Sequence, residues 1–380
     1  MDDLQQLLCQ LVGIDSTNPD LVPDGKGERE ISAYVQHWLQ ERGIEAQREE
    51  FSPGRFNVVA RVRGTGGGKT LLLNAHMDVV GTAGMQDPFS PKIENGRLYG
   101  RGGYDMKGGL AACMVALVQA KKLALQGDVI LTAVADEEYA SIGMQHLLKT
   151  VTADAAIVTE PTELALCIAH KGFTWHEVTT FGKAAHGSRP DLGVDAIAHM
   201  GRVLGKIEKW QGDLKSRTPH PLLGHGSVHA SLISGGQELS SYPETCTLQL
   251  ERRTLPAETP EQVQAELETL LSELQRQDSR FRAEHRMTLH RDGFEVPVDE
   301  KMVQVVKQQA SEVLGHTPEI TGKTFWMESA LLQQAGIPTV VFGPAGTGAH
   351  ATEEWVDLKS VEQCCEVLTR TIKTFCQAEG

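Results

Sequence analysis

Apolar residues recur along this chain in two rhythms, and their alternation predicts the architecture. Four short runs, Leu71-Leu-Leu-Asn-Ala75, Val129-Ile-Leu-Thr-Ala-Val134, Ala155-Ala-Ile-Val158 and Thr339-Val-Val-Phe342, are β-rich and nearly continuous in apolar character. Such runs become buried parallel strands when helices lie between them. Residues 2–12, 28–42, 106–125, 300–314, 328–334 and 361–376 have helical apolar spacing, whereas residues 56–62 alternate like a strand. The outer parts of the chain therefore predict an α/β domain with a mostly parallel sheet flanked by helices.

After Glu160 the pattern changes. Residues 165–170 and 173–181 read as strands, 194–210 as a helix, and 227–233 and 246–255 as two more strands. Thr259-Pro260 then opens a helix through residue 275, with threonine at the cap and proline in the first turn. The α/β alternation resumes at about residue 298, so this smaller α+β block is an insertion. Its expected limits are 169–288, leaving 1–168 and 289–380 as one domain.

Candidate chemistry appears at the ends of the apolar runs. His76 and Asp78 follow the first, Glu137 and Glu138 the second and Glu160 the third; His350 stands in the glycine-broken segment after the fourth, and Asp105 lies in Tyr99-Gly-Arg-Gly-Gly-Tyr-Asp105-Met-Lys-Gly-Gly109. In open α/β sheets ligands bind beyond the carboxyl ends of the strands. Chance would scatter metal-capable side chains over both ends and over the helices. His76, Asp105, Glu138, Glu160 and His350 make five ligands, enough for two cations if one carboxylate bridges. Glu137 is then left over, and a carboxylate beside the metals but not bound to them is what a general base for a metal-bound water requires. Asp78 is spaced to accept the second ring N–H of His76 and fix its tautomer.

Taken singly, these residues have plainer readings. His76 alone reads as a hydrogen-bonded core histidine, and Glu137-Glu138 as an exposed acidic pair at a strand end. Only the ordered set favours a metal site, because two adjacent carboxylates near Asp105 destabilise the fold unless a cation offsets them.

His76-Met-Asp78, the Tyr99–Gly109 run, Asp136-Glu137-Glu138 and Thr159-Glu160-Pro161 together resemble the signature of the di-zinc aminoacylase family, which includes acetylornithine deacetylases, succinyl-diaminopimelate desuccinylases and glutamate carboxypeptidases. The resemblance runs over essentially the whole chain, with the motifs in the family's order and spacing. It implies Asp105 as the bridging ligand, His76 and Glu160 on one zinc, Glu138 and His350 on the other, and Glu137 as the general base. In the family the peptide after the bridging aspartate is often cis, which here would be Asp105-Met106. Zinc is the ion implied, and cobalt or manganese fit the same ligands.

The resemblance further implies that the inserted block is a lid and dimerization domain, that the protein is a homodimer through it, and that His186 in Gly182-Lys-Ala-Ala-His186 stabilises the oxyanion in the active site of the opposite subunit. Arg253 falls where the family holds a substrate carboxylate. Its neighbour Arg252 competes for that place; strand alternation puts the two on opposite faces, so only one can serve. Where family members often carry asparagine after a Gly-Gly turn, this chain has Ser240, which can donate one hydrogen bond but cannot both donate and accept as an amide does. The activity implied is hydrolysis of an amide, foremost N-deacylation of an N-acyl amino acid such as acetylornithine. Desuccinylation, or cleavage of a dipeptide or of a C-terminal glutamate, is the alternative. From another class, a non-catalytic relative that binds amino acids remains open, although such proteins usually lose ligands that are intact here.

Composition adds little but excludes some partners. With 36 basic and 50 acidic residues the formal charge is −14, which argues against nucleic acid or an anionic membrane as partner. The acidic start, Met1-Asp-Asp-Leu-Gln-Gln, lacks the regions of a signal peptide, and no apolar run is long enough to span a membrane, so a cytoplasmic protein acting on small molecules is expected. Seven cysteines without CxxC spacing read as free, mostly buried thiols. Arg63-Gly-Thr-Gly-Gly-Gly-Lys69-Thr70 looks superficially like a phosphate-binding loop, but a strand follows where a helix is needed. There is no Gly-x-Ser-x-Gly elbow, so covalent hydrolysis is disfavoured.

Overall fold

The four apolar runs form the strands Leu71–His76, Val129–Val134, Ala155–Val158 and Thr339–Val341, and every residue in them is buried. They lie side by side and parallel: Leu71 pairs with Val129 and Ala155, His76 with Val134, and Val341 with Val158. Parallel pairing in this register brings all four carboxyl ends to one edge of the sheet. The computed structural model describes residues 2–82 and 84–377.

Away from this centre the sheet turns antiparallel. Strand Arg55–Val62 pairs antiparallel with Val129–Val134 and with Glu45–Ser52, and Leu166–His170 pairs antiparallel with Thr339–Val341. The hairpin of residues 45–62 needs only a tight turn, supplied at Gly54 with φ 77°. Its first strand carries mostly charged and polar residues and leaves little apolar signal.

Helix Gly108–Ala120 has no polar face, because it is covered on one side by the sheet and on others by helices Asp2–Val12 and Leu358–Phe375. It is shorter than the spacing predicts. Residues Gly103–Lys107 form a single π-type turn in which Asp105 and Met106 leave helical φ/ψ. At the helix start a Cβ on Gly109 would meet the carbonyl oxygen of Thr159 at 2.2 Å, so glycine is required where the helix rests on the strand end that leads to Glu160.

A second, small sheet does what the long-period pattern could not announce. Its strands run in the order Gly346–Thr347, Trp355–Asp357, Arg97–Tyr99, Lys92–Glu94, with Trp355 opposite Tyr99 and Val356 opposite Leu98. Elements of two and three residues leave no readable period. This sheet anchors the loop carrying His350 beside the segment that leads to Asp105.

By its internal contacts the chain divides into two units, one of Met1–Ile168, Val296–Thr321 and Met327–Gly380, the other of Ala169–Glu295 and Gly322–Trp326. The second is built on an antiparallel sheet in the order Ser227–Gly235, Thr245–Thr254, Gly172–Phe181, Arg282–Arg291. Helices Ala196–Ser216 and Pro260–Gln277 bury Met200, Val203, Trp210, Leu267 and Leu271 against Val178, Leu248 and Leu250 of the sheet. The second helix begins with the expected cap: Thr259 accepts from the N–H of Gln262, whose side chain in turn accepts from the N–H of Thr259. Among the described residues no helix is long and apolar enough to cross a membrane.

Candidate metal centre

The sheet edge gathers the five expected ligands and Glu137. His76 ends its strand, Glu137 and Glu138 lie just past Val134, and Glu160 lies two residues past Val158. Asp105 sits in the π-type turn, and the Asp105-Met106 peptide is cis. Its carboxylate faces two ways: Oδ1 lies 3.3 Å from His76 Nε2, and Oδ2 lies 3.4 Å from His350 Nε2. On the first side Glu160 Oε1 is 3.5 Å from His76 Nε2; on the second Glu138 Oε2 is 3.1 Å from His350 Nε2.

These spacings test whether metal ions fit. Nitrogen and oxygen ligands at about 2.0–2.1 Å from a tetrahedral zinc lie about 3.3 Å from one another. The observed separations have that size in both subsites, and His76 with Asp105 and Glu138, and His76 with Glu137 and Glu160, form two groups able to hold an ion. Glu138 Oε1 is buried with no hydrogen-bond partner. Such an atom is costly unless a cation takes it. The donor set of imidazole and carboxylate suits zinc, cobalt or manganese. No cysteine takes part in these groups.

Without a cation the site is electrostatically frustrated. Burial, then the charge of Glu160, raises the Glu137 carboxyl well above the usual range, and burial with Asp105 pushes Glu138 up to about 7. Glu160 is likewise raised, by burial first. Hydrogen bonds to Asp105 and Glu138 lift His350 to about 10. Burial opposes charge on His76, but Glu160 and Asp105 outweigh it and raise the imidazole. Asp105 is held low, since its bonds to His350 and His76 overcome burial.

Glu137 stands at the margin, with Oε2 4.0 Å from His76 Nε2. Asp78 supports the site differently from the expectation. The ring Nδ1 of His76 bonds the backbone carbonyl of Asp78 at 2.9 Å, while the Asp78 carboxylate is 3.8 Å from that nitrogen. That carboxylate instead accepts the backbone N–H of Glu137 at 3.1 Å and of Glu138 at 3.3 Å, together with the side chain of Asn18 at 2.8 Å. The strand end turns sharply after His76, which presents the Asp78 carbonyl to the ring and frees the carboxylate for the neighbouring loop.

Several residues around this loop carried no sequence signal. Asn18 also donates to Asp136 at 3.0 Å, and Asp136 accepts from Arg55 at 2.8 Å. Arg55 in turn bonds both oxygens of buried Glu28, and Asp20 as well. Beneath His76, Asn74 donates to Glu328 at 2.8 Å, and burial pushes Glu328 up to about 8. These contacts join segments far apart in sequence, and of these residues only Asp136 stands in a motif quoted from the sequence.

The remaining expected residues lie in the second unit. His186 sits on a turn whose strand-like bridge to Ser241 and Gly187–Ser240 hydrogen bond (2.6 Å) bring it beside Ser240. His186 Nδ1 lies 2.8 Å from the Ser188 hydroxyl, and the Ser188 N–H reaches the same nitrogen at 3.2 Å. Arg252 is fully buried, paired with Glu258 and placed 5.9 Å from the Trp210 ring. Arg253 projects from the other face, half-buried, bonded to Glu251 at 2.7 Å and lying over Phe173. Histidines outside these groups have other partners: His170 stacks on Phe294, His176 bonds Thr174, and exposed His37 pairs with Glu41.

The family model described as Peptidase family M20/M25/M40 matches residues 72–374. Acetylornithine deacetylase of Myxococcus xanthus is 32% identical, over 98% of this chain and 97% of that protein, and acetylornithine deacetylase of Proteus mirabilis is 30% identical over the same shares. In fold, the chain is similar to aminopeptidase PepT of Bacillus cereus, with TM-score 0.81, 20% identity and 99% of each chain covered. It is equally similar to an M20 family metallo-carboxypeptidase of Sulfolobus solfataricus, with TM-score 0.79, 20% identity and 99% of each chain covered. Relatives across nearly the full length, and a set of imidazole and carboxylate groups that wants cations, lead to one conclusion: this chain belongs to peptidase family M20/M25/M40 and is a metal-dependent amide hydrolase.

Proposed function

We propose that the protein removes the acyl group from an N-acyl amino acid, in the manner of an acetylornithine deacetylase. One observation carries this choice of substrate: relatives 30–32% identical over nearly the whole chain bear that name, whereas the solved peptidases named above are alike in fold at 20% identity. Desuccinylation or cleavage of a short peptide is the competing outcome.

His76, Asp105 and Glu160 would hold one zinc ion, and Asp105, Glu138 and His350 the other. Ions held there would supply Lewis acidity, which lowers the pKa of a water to about 7 and polarises a carbonyl. Glu137, outside both ligand sets, takes the proton from the attacking water and returns it to the leaving amine. Asp78 orients it through the Glu137 N–H. Arg253, released from Glu251, binds the substrate carboxylate, and Ser240 contributes a hydroxyl. His186 of a second copy donates its Nε2–H to the oxyanion, an interaction of a kind worth about 2.7–4 kcal/mol in the transition state.

The second copy is proposed to dock on strand Ser227–Gly235. This strand stands at the end of its sheet, and Leu232 and Ile233 are 65% and 55% exposed on it. Edge strands with exposed apolar residues invite pairing with another chain. The protein is expected to sediment as a dimer, and Ile233→Lys to shift it toward monomer with loss of turnover.

The experiment is a panel of N-acetyl, N-succinyl and dipeptide substrates offered to metal-stripped protein titrated with zinc or cobalt. Deacetylation that returns near two ions per chain supports the proposal. Preference for succinyl or peptide substrates would replace the substrate, and tight binding of two ions without turnover of any would point to a binding role.

A further inference from the structure

We infer that Arg101 and Glu354 are positioning residues that keep the loop of the bridging aspartate and the loop of His350 in register, an inference that rests on the two-ion reading above. Both side chains are buried, each at 1% exposure, and neither belongs to the ligand set. Glu354 follows His350 by four residues but spends its carboxylate on the other loop. Its Oε1 accepts the backbone N–H groups of Tyr104 and Asp105, each at 3.0 Å, and its Oε2 accepts the N–H of Gly102 at 3.0 Å and Arg101 Nη1 at 2.6 Å. Arg101 closes the link in the opposite direction. Its Nη2 donates to the carbonyl of Ala351, the residue after His350, at 2.8 Å.

The arrangement reaches past the ion pair itself, in which Arg101 Nε stays buried without a partner. One carboxylate holds three backbone N–H groups between Gly102 and Asp105, including that of the residue from which the bridging side chain departs. One guanidinium fixes the peptide that follows His350. The His350 loop has little slack to absorb a shift: His350 has φ 62°, Gly348 has φ 89°, and a Cβ on Gly348 would lie 1.9 Å from the carbonyl oxygen of Glu353. A displacement at Ala351 or Glu354 therefore passes to the imidazole. Ligands must hold their places to within about 0.5 Å for a site to retain its ion. The Arg101–Glu354 pair thus sets the separation of His350 from Asp105 and Glu138; His76 and Glu160 lie at or just past strand ends, so Asp105 is the one ligand of the first ion that the pair also holds.

The test is stepwise cobalt binding to the metal-stripped full chain, read by calorimetry and by d–d absorption, for the wild type, Arg101→Lys and Glu354→Asp. Thermal unfolding of the metal-free proteins checks the fold. Lysine keeps the charge beside Glu354 but cannot also reach the Ala351 carbonyl. Aspartate keeps the charge on a shorter arm. In Arg101→Lys the first ion is expected to bind as in the wild type, and the second to weaken 10–100-fold with an altered spectrum. Glu354→Asp should weaken the second ion at least as much. Two ions held at wild-type affinity by a folded variant would overturn the inference, and so would equal weakening of both ions in Arg101→Lys together with a lowered melting temperature, the mark of a merely structural pair. If Glu354→Asp does not fold, Arg101→Lys decides alone. A wild type that takes fewer than two ions would instead defeat the two-ion reading itself.

Discussion

The backbone N–H of Glu137 donates to the Asp78 carboxylate at 3.1 Å, so the acid that follows His76 orients the peptide bearing the proposed base. Asparagine at position 78 would offer its amide N–H₂ where one of two backbone donors now finds an oxygen. Asp78→Asn is expected to lower kcat about 10–100-fold, with KM nearly unchanged. Steady-state kinetics at saturating metal check this. Loss confined to KM would assign Asp78 to substrate binding instead.

Glu137 shares a group able to hold an ion with His76 and Glu160, yet it lies farther from His76 than Asp105 or Glu160. If it moves protons and holds no ion, Glu137→Gln should keep two ions per chain and lose about 10²–10⁴-fold in kcat. Metal analysis beside single-turnover rates separates the roles. A variant that loses an ion would place Glu137 among the ligands.

Metal affinity should rise with pH across neutrality. Ions need the ligands deprotonated, while in the metal-free protein Glu138 is pushed up to about 7 and His350 to about 10. Protons therefore compete more strongly as pH falls, and binding must release them. Zinc titrations in buffers of different ionisation enthalpy, at pH 6.5 and 8, should show net proton release and tighter binding at the higher pH. Affinity independent of pH would contradict it.

The centre of the site was legible because strand ends write it in order: each of the runs at 71, 129 and 155 is a buried strand, and His76, Glu138 and Glu160 follow from them. What surrounds them was not. Glu354 reaches Tyr104 and Asp105 through a sheet of two- and three-residue strands, too short to carry a period. Strand Arg282–Arg291 leaves a weak signal, because two of the alternating positions Ala283, His285 and Met287 are filled by alanine and histidine and a bulge between Met287 and Leu289 breaks the period. Asn18, Arg55 and Asp136 form a network across three segments, and no local pattern encodes a long-range hydrogen bond.

The second unit should carry an acid-sensitive point of its own at His176. The ring is buried between strands, bonds Thr174 through Nε2 at 2.8 Å, leaves Nδ1 without a partner, and lies 6.2 Å from the ring of His285. Burial, and then the neighbouring His285, lowers it to about 4 from the ordinary 6.5. Because the folded value lies below the unfolded one, the unfolded chain binds the proton more readily between these limits. The contribution to stability is therefore complete above pH 6.5 and is lost as pH falls toward 4, by about 3 kcal/mol. Urea unfolding of the metal-free protein at pH 7, 5.5 and 4.5 should show a shallower decline for His176→Leu than for the wild type, the chelator removing any effect of metal release. Parallel declines in the two proteins would mean that His176 is already free to take its proton in the fold.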